Sequence, residues 1–325
     1  METTYDVVVV GGGAAGLSGA LALGRARRSV LVVDAGHPRN APAGHVHNYL
    51  GREGTPPGEL LAIGRAEVAR YGVQVETGTV AAAGATDTGF TVRLVDGRSV
   101  QARRLLVTTG LTDELPDVAG LAEGWGRDVL SCPYCHGWEV RDQAVGILAT
   151  GSFAVHQALL FRQWTADLTF FRHTGPAPTP DEREQLDARG ITVVQGPVAA
   201  WEGGGVRMLS GELVPRVALV VAPVLTARSA VLESLGLHAT QVEMGGHVLG
   251  TQITADPTGL TAIPGVWVAG NVADLRGQVI GSAAAGLSAA AAVNADLIAQ
   301  ETRVAVETAR AAARRSGAAA QRVAR

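Results

Sequence analysis

Asp6-Val7-Val8-Val9-Val10 runs directly into Gly11-Gly12-Gly13-Ala14-Ala15-Gly16, and a helix-forming stretch continues to about Arg28. Few local patterns restrict a fold more. The valines read as a short strand buried on both faces, the kind found in parallel sheets. Gly11 makes the tight turn, Gly13 lets the backbone approach a pyrophosphate, and Gly16 permits close packing of helix on strand. Ala14 and Ala15 open the helix, whose N-terminus offers a positive field to phosphates. Ser29 to Asp34 is a second strand that ends in an acid, followed by Ala35. Asp34 is placed to accept hydrogen bonds from a ribose. A strand–glycine turn–helix–strand unit of this kind commits the chain to a doubly wound α/β sheet that binds a dinucleotide.

A weaker copy follows. Ala144 to Leu148 reads as a strand, Ala149-Thr150-Gly151-Ser152-Phe153-Ala154 as the turn, and a helix runs to about Trp164. Leu168 to Phe171 is the next strand. Equal spans separate Gly11 from Asp34 and Ala149 from Arg172. Two such units imply two Rossmann-like domains, and 325 residues provide two ordinary cores. Gly175 to Pro180 is a surface loop and 202–205 a glycine-rich turn. Ala289 to Arg325 reads as a long Ala- and Arg-rich helix, solvated or facing a second copy.

Composition narrows the partners. Apolar residues make up 47% and charged ones 18%, with a net charge of −3, so no nucleic acid or acidic surface is indicated as partner. All 27 basic residues are arginine, which removes lysine-based Schiff chemistry and a P-loop lysine. The chain starts Met1-Glu2-Thr3-Thr4 and enters a strand without a secretory pattern, and the apolar runs are short or Gly/Ala-rich. The expectation is a soluble, cytoplasmic protein with no membrane span.

The only cysteines are Cys132 and Cys135, in Ser131-Cys132-Pro133-Tyr134-Cys135-His136-Gly137. Their spacing puts both on one helical face, and Pro133 suits a first helical position. A thiol at a helix N-terminus is acidified and reacts as thiolate. Such a pair also fits half a zinc site, a haem tether or an inert buried pair. Zinc needs two more ligands, and the histidines show no partner spacing; the expectation is no metal. A haem tether would need an exported chain with an axial partner.

Three further blocks accompany the first glycine motif. Leu105-Leu106-Val107-Thr108-Thr109-Gly110, the Cys-x-x-Cys string, and Ile263 to Val272 ending in Gly270-Asn271 follow it in an order that resembles the thioredoxin reductase family over about residues 5–298. The resemblance implies FAD, held by Gly11, Gly13, Ala14, Ala15, Gly16, Asp34, Ala35, Thr109, Gly110, Gly270 and Asn271, with Gln278 and Val279 at the following helix. It implies a discontinuous FAD domain, 1–116 and 244–298, and an inserted, smaller NAD(P)-type domain, 117–243, that carries the cysteines. Residues 299–325 would form a C-terminal helical extension, and the protein would be a homodimer. The family's flavin-side loop corresponds to Gly44–Gly51, which places His47 and Asn48 beside the cofactor.

Departures from the family pattern bear on direction. Asn271 stands where the family has aspartate, and an asparagine still bonds a ribityl hydroxyl. His136 replaces the aspartate that serves as general acid. Ala149 replaces the first glycine of the NADPH turn, His156 and Gln157 replace its glutamates, and Phe171-Arg172-His173-Thr174 replaces a His-Arg-Arg cluster, although Arg172 could still meet a 2′-phosphate. The string Cys-Pro-Tyr-Cys-His-Gly-Trp-Glu-Val resembles the flavin-dependent dithiol oxidases of holomycin, gliotoxin and romidepsin type. By resemblance Cys135 is the sulfur beside the flavin, Cys132 exchanges with substrate, and His136 moves the proton. The expected function is FAD-dependent oxidation of a small-molecule dithiol by O2. The alternatives are an NADPH-dependent thioredoxin or disulfide reductase and a non-catalytic redox-sensing flavoprotein.

Overall fold

The computed structural model describes residues 4–244 and 246–323, with side chains to residue 315. Among these, strand Thr4–Val10 pairs in parallel with Val30–Asp34 on one side and Ser99–Val107 on the other, as the valine runs require. Gln74–Thr77 extends one edge, Gly89–Leu94 and Val80–Thr86 fold back antiparallel on the other, and Val266–Val268 joins beside Ser99–Val107. Helix Ala14–Arg25 ends near the expected Arg28 and covers one face.

A second, all-parallel sheet runs in the order Thr192–Val194, Leu168–Phe171, Val145–Leu148, Ala218–Val220, Val129–Leu130. Helix Phe153–Phe161 lies on it, with Ala158 and Phe161 fully buried. The two Rossmann-like sheets read from the sequence are both present.

The return from the inserted body lies earlier than 244. Val224–Ala227 pairs with Leu111–Glu114 and with His247–Gln252, and Thr240–Met244 completes this four-stranded sheet. Ala227, Val231 and Leu232 share a core with Val8, Leu105 and Val107. Residues 224–243 therefore pack with the first body, and the inserted body closes near Val221. Their own sequence carries no glycine turn or long apolar run that would assign them.

The C-terminal helix is continuous from Val279 to Val323, so 299–323 prolongs a core helix and is no separate element. Ala289, Ala290, Val293 and Leu297 pack on Val7, Val9, Leu106 and Trp267. Full burial of each of the larger aliphatic residues contributes about 1.5–3 kcal/mol. Arg28 and Arg103 both reach Glu301, and Arg104 reaches Asp296, which straps the helix to the sheet. Over Val279–Arg315 this helix is long and apolar enough to cross a membrane by length and composition alone. Its first half instead supplies a wall of the core.

Candidate functional site

One cavity of about 1740 Å³ runs between the two bodies and is lined by the glycine turn, Asp34, Ala35, Thr109, Gly110, both cysteines, His136, Gly270, Asn271, Gln278 and Val279. At its floor Gly11 has φ of +107°, a conformation that disfavours a side chain. A Cβ on Gly16 would collide with the Gly11 carbonyl oxygen, whereas one on Gly13 would meet nothing within 4 Å. Gly11 and Gly16 are required by backbone and packing, and the space above Gly13 is open for a ligand. Asp34 accepts from the Gly12 N–H at 3.1 Å and from Arg65 at 2.6 Å. Its carboxylate is thus pre-oriented at the strand end and keeps lone pairs for a ribose.

The redox turn is one turn of helix, Pro133–His136, with Cys132 as N-cap and Pro133 at the first position. The Cys135 and His136 N–H groups both donate to the Cys132 carbonyl at 3.2 Å. Both thiols are free and half-buried. The Cys135 thiol donates to Cys132 and lowers its pKa to about 7 against the opposing effect of burial; the N–H groups of Cys135 and Tyr134 and the charge of Arg39 assist. The same bond, together with burial, pushes the Cys135 thiol well up. Cys132 is therefore the more acidic thiol of the two, and Cys135 the one that keeps its proton.

His136 is held below the usual histidine range by burial, and neither ring nitrogen meets a partner among the described residues. It is neutral at pH 7. His47, read as cofactor-side, also lines the cavity, with Nδ1 2.6 Å from Glu53 and Nε2 3.4 Å from Glu139. Asn48 does not line it. It adopts a left-handed φ of +59°, and its side chain donates to the Tyr134 carbonyl at 2.6 Å. The loop thus grips the redox turn. Trp138 points outward beneath Arg141, 4.1 Å from the ring centre.

Arg39 and Asp113 carry no signal in the sequence. Arg39 binds Asp113 through two bonds of 2.7 and 2.6 Å and reaches Asn271 Oδ1 at 3.2 Å. The Asn271 Nδ2 group donates to the carbonyls of Asp274 and Gly277. An asparagine suits this environment, because a carboxylate would face two carbonyl oxygens; Oδ1, which takes one bond from Arg39, keeps a lone pair that a hydroxyl could reach. Arg39 sits in an irregular loop, where no spacing rule would flag it. Thr109 Oγ1 donates to the Arg228 carbonyl at 2.6 Å, joining the middle motif to the returning chain.

The second glycine-like turn opens on the same cavity through Ser152, Phe153, His156 and Gln157. Phe153 stacks near His156 with ring centres 4.9 Å apart, and Ser152 Oγ lies 2.5 Å from His247 Nδ1 on the other body. Arg172, the candidate for a 2′-phosphate, bonds Gln195 and does not line the cavity.

The pyridine nucleotide-disulphide oxidoreductase family profile matches residues 5–313. Thioredoxin reductase sirT of Leptosphaeria maculans is 30% identical over 312 residues, which cover 89% of this chain and 93% of the relative. The crystal structure of HlmI superposes with a TM-score of 0.86 at 43% identity, over 94% of this chain and 96% of that one. An oxidoreductase from Agrobacterium tumefaciens gives the same TM-score at 36% identity, over 91% and 99%. The cofactor is FAD, and the residues present fit it: an open glycine turn, an oriented acid and a long continuous cavity. The chain is an oxidoreductase, similar to thioredoxin reductases, and it belongs to the pyridine nucleotide-disulphide oxidoreductase family.

Proposed function

We propose that the protein oxidises a small-molecule dithiol to a disulfide, with O2 as final acceptor, through the Cys132–Cys135 pair. The observation that carries the reading is the asymmetric thiol pair opening on the same cavity as the glycine cradle. A substrate thiolate attacks Cys132 Sγ of the oxidised pair, the Cys132–Cys135 bond breaks, and Cys135 leaves and takes a proton. The second substrate thiol, deprotonated, attacks the substrate sulfur joined to Cys132, and Cys132 leaves as a thiolate. The substrate leaves as disulfide, and the pair has gained two electrons. Cys132 is the better leaving group for the second step because its thiolate is stabilised by Cys135 and the helix N–H groups. FAD, when bound, supplies the acceptor that returns the pair to the disulfide and delivers the electrons to O2 as hydrogen peroxide.

The second turn supports this direction over NADPH-driven reduction. It is lined by Phe153 and His156 and linked to His247, and Arg172 bonds Gln195 and does not line the cavity. The reading includes a cytoplasmic homodimer; exposed Leu287, Ile298 and Val304 on the long helix suit a second copy. Anaerobic mixing tests it. A small dithiol should bleach the flavin absorbance, and air should restore it with peroxide formed. Fast bleaching by NADPH would overturn the oxidase reading in favour of a reductase, and no bleaching by either would favour a redox sensor.

A further inference from the structure

Gln157 is 4% exposed, on the helix that follows the second turn, and it lines the cavity. Its Nε2 donates to the Ser131 carbonyl and to the Val221 carbonyl, both at 3.2 Å. Its Oε1 is buried without a partner among the described residues. Ser131 directly precedes Cys132, and Val221 follows the strand at which the inserted body closes. The two carbonyls stand at the C-terminal ends of neighbouring strands, Val129–Leu130 and Ala218–Val220. One side chain therefore spans the gap between them and holds the backbone at the point where it turns into the redox helix.

We propose that Gln157 is a positioning residue for the thiol pair: its amide fixes the Ser131 carbonyl and thereby the direction in which Cys132 presents its sulfur to substrate and to Cys135. The inference rests on Cys132 being the exchanging sulfur. The position demands a donor. Both partners are carbonyl oxygens in a water-excluded place, so a charged carboxylate there would be repelled by each and left unsolvated. Thiol–disulfide exchange aligns three sulfurs, and a small displacement of the central one lowers the rate steeply. The orphaned Oε1 is the cost of this arrangement: the amide is turned so that its donors serve the turn.

Two variants test the assignment. Gln157→Met keeps the length and removes the donors. Gln157→Glu keeps the shape and makes the donor depend on pH. Buried against carbonyls, the introduced carboxyl holds its proton above the ordinary range; the protonated acid donates to one carbonyl, and the carboxylate formed at higher pH donates to none. Two rates are read on the purified holoprotein by quenching and mass analysis: iodoacetamide labelling of Cys132 in the reduced protein, and reduction of the Cys132–Cys135 disulfide by dithiothreitol. Gln157→Met should slow both roughly tenfold. Gln157→Glu, taken as a ratio to wild type at each pH, should be near one in acid and fall as pH rises. Wild-type rates in both variants at every pH would overturn the proposal. Should Gln157→Met fail to fold, the pH course of Gln157→Glu still decides, and a flat ratio to wild type overturns it. If wild type labels at Cys132 but never exchanges with dithiothreitol, the dithiol reading falls, while a slowed labelling in the variants still upholds the positioning role.

Discussion

Arg39 holds Asp113 by two near-parallel N–H···O bonds of 2.7 and 2.6 Å, with Asp113 only 6% exposed in its side chain. This pair joins the loop after the second strand to the strand at which the chain leaves the first body. Its charge is balanced locally, so the Arg39 field at the thiols is set by what Asp113 leaves uncompensated.

Opposite shifts should follow from the two halves of this pair. Arg39→Met removes a cation that lowers both thiols, so the pH midpoint of Cys132 labelling should rise. Asp113→Asn strengthens that cation, and the midpoint should fall. Arg39→Met also strands a buried carboxylate and should cost about 1–3 kcal/mol in urea unfolding, discounted because Arg39 is a third exposed. Midpoints that move together would show that Arg39 acts through structure alone.

Cys132 should be labelled by iodoacetamide with a midpoint near pH 7, and Cys135 only at much higher pH. Below the midpoint Cys132 is a thiol and unreactive; above it the thiolate reacts. Cys135→Ala removes the hydrogen bond that is the largest cause of the lowering, and the Cys132 midpoint should climb toward the ordinary thiol range. Cys132→Ser and Cys135→Ser should each abolish dithiol turnover in an oxygen-electrode assay.

The glycine cradle makes a contrast between neighbours. Gly16→Ala drives a methyl into the Gly11 carbonyl and should cost about 1–3 kcal/mol of stability along with flavin. Gly13→Ala points its methyl into open space. The apoprotein should melt like wild type while flavin retention on a desalting column is lost. Equal melting losses in the two variants would count against the open space above Gly13 as the ligand side.

His136 gives the protein an acid sensitivity with a definite sign. Burial holds its folded pKa below the ordinary value, so below about pH 6.5 the unfolded chain binds a proton that the folded one refuses. Stability should therefore fall as pH drops from 7 through that value, until the lowered folded pKa is reached. His136→Leu should flatten this part of a melting-temperature profile.

The two α/β units are legible in the sequence because their signals are local: a valine run, a glycine turn, an acid at fixed distance. The same holds for Cys132, whose place ahead of Pro133 fixes it as the helix N-cap. The domain return is not legible in this way, because the strand Val224–Ala227 is assigned by its partner Leu111–Glu114 and not by its own sequence. Arg39, Asp113 and the bridging role of Gln157 stay hidden for one physical reason. Each acts through a tertiary contact across a separation of at least 26 residues, and neither a period nor a motif encodes such a contact. Asn271 is visible in its motif, but the bonds of its amide to Arg39 and to the carbonyls of Asp274 and Gly277 are not.

The bond from Asn48 to the Tyr134 carbonyl crosses from one body to the other. In a helix of a single turn that carbonyl has no partner within the helix. The redox element is therefore not self-contained in the string Cys-Pro-Tyr-Cys. Grafting those residues onto another scaffold would transfer two thiols without the amide that caps them. The smallest portable unit is the turn together with a residue 86 positions upstream, and homologues that alter one half of that unit should be read with the other half in view.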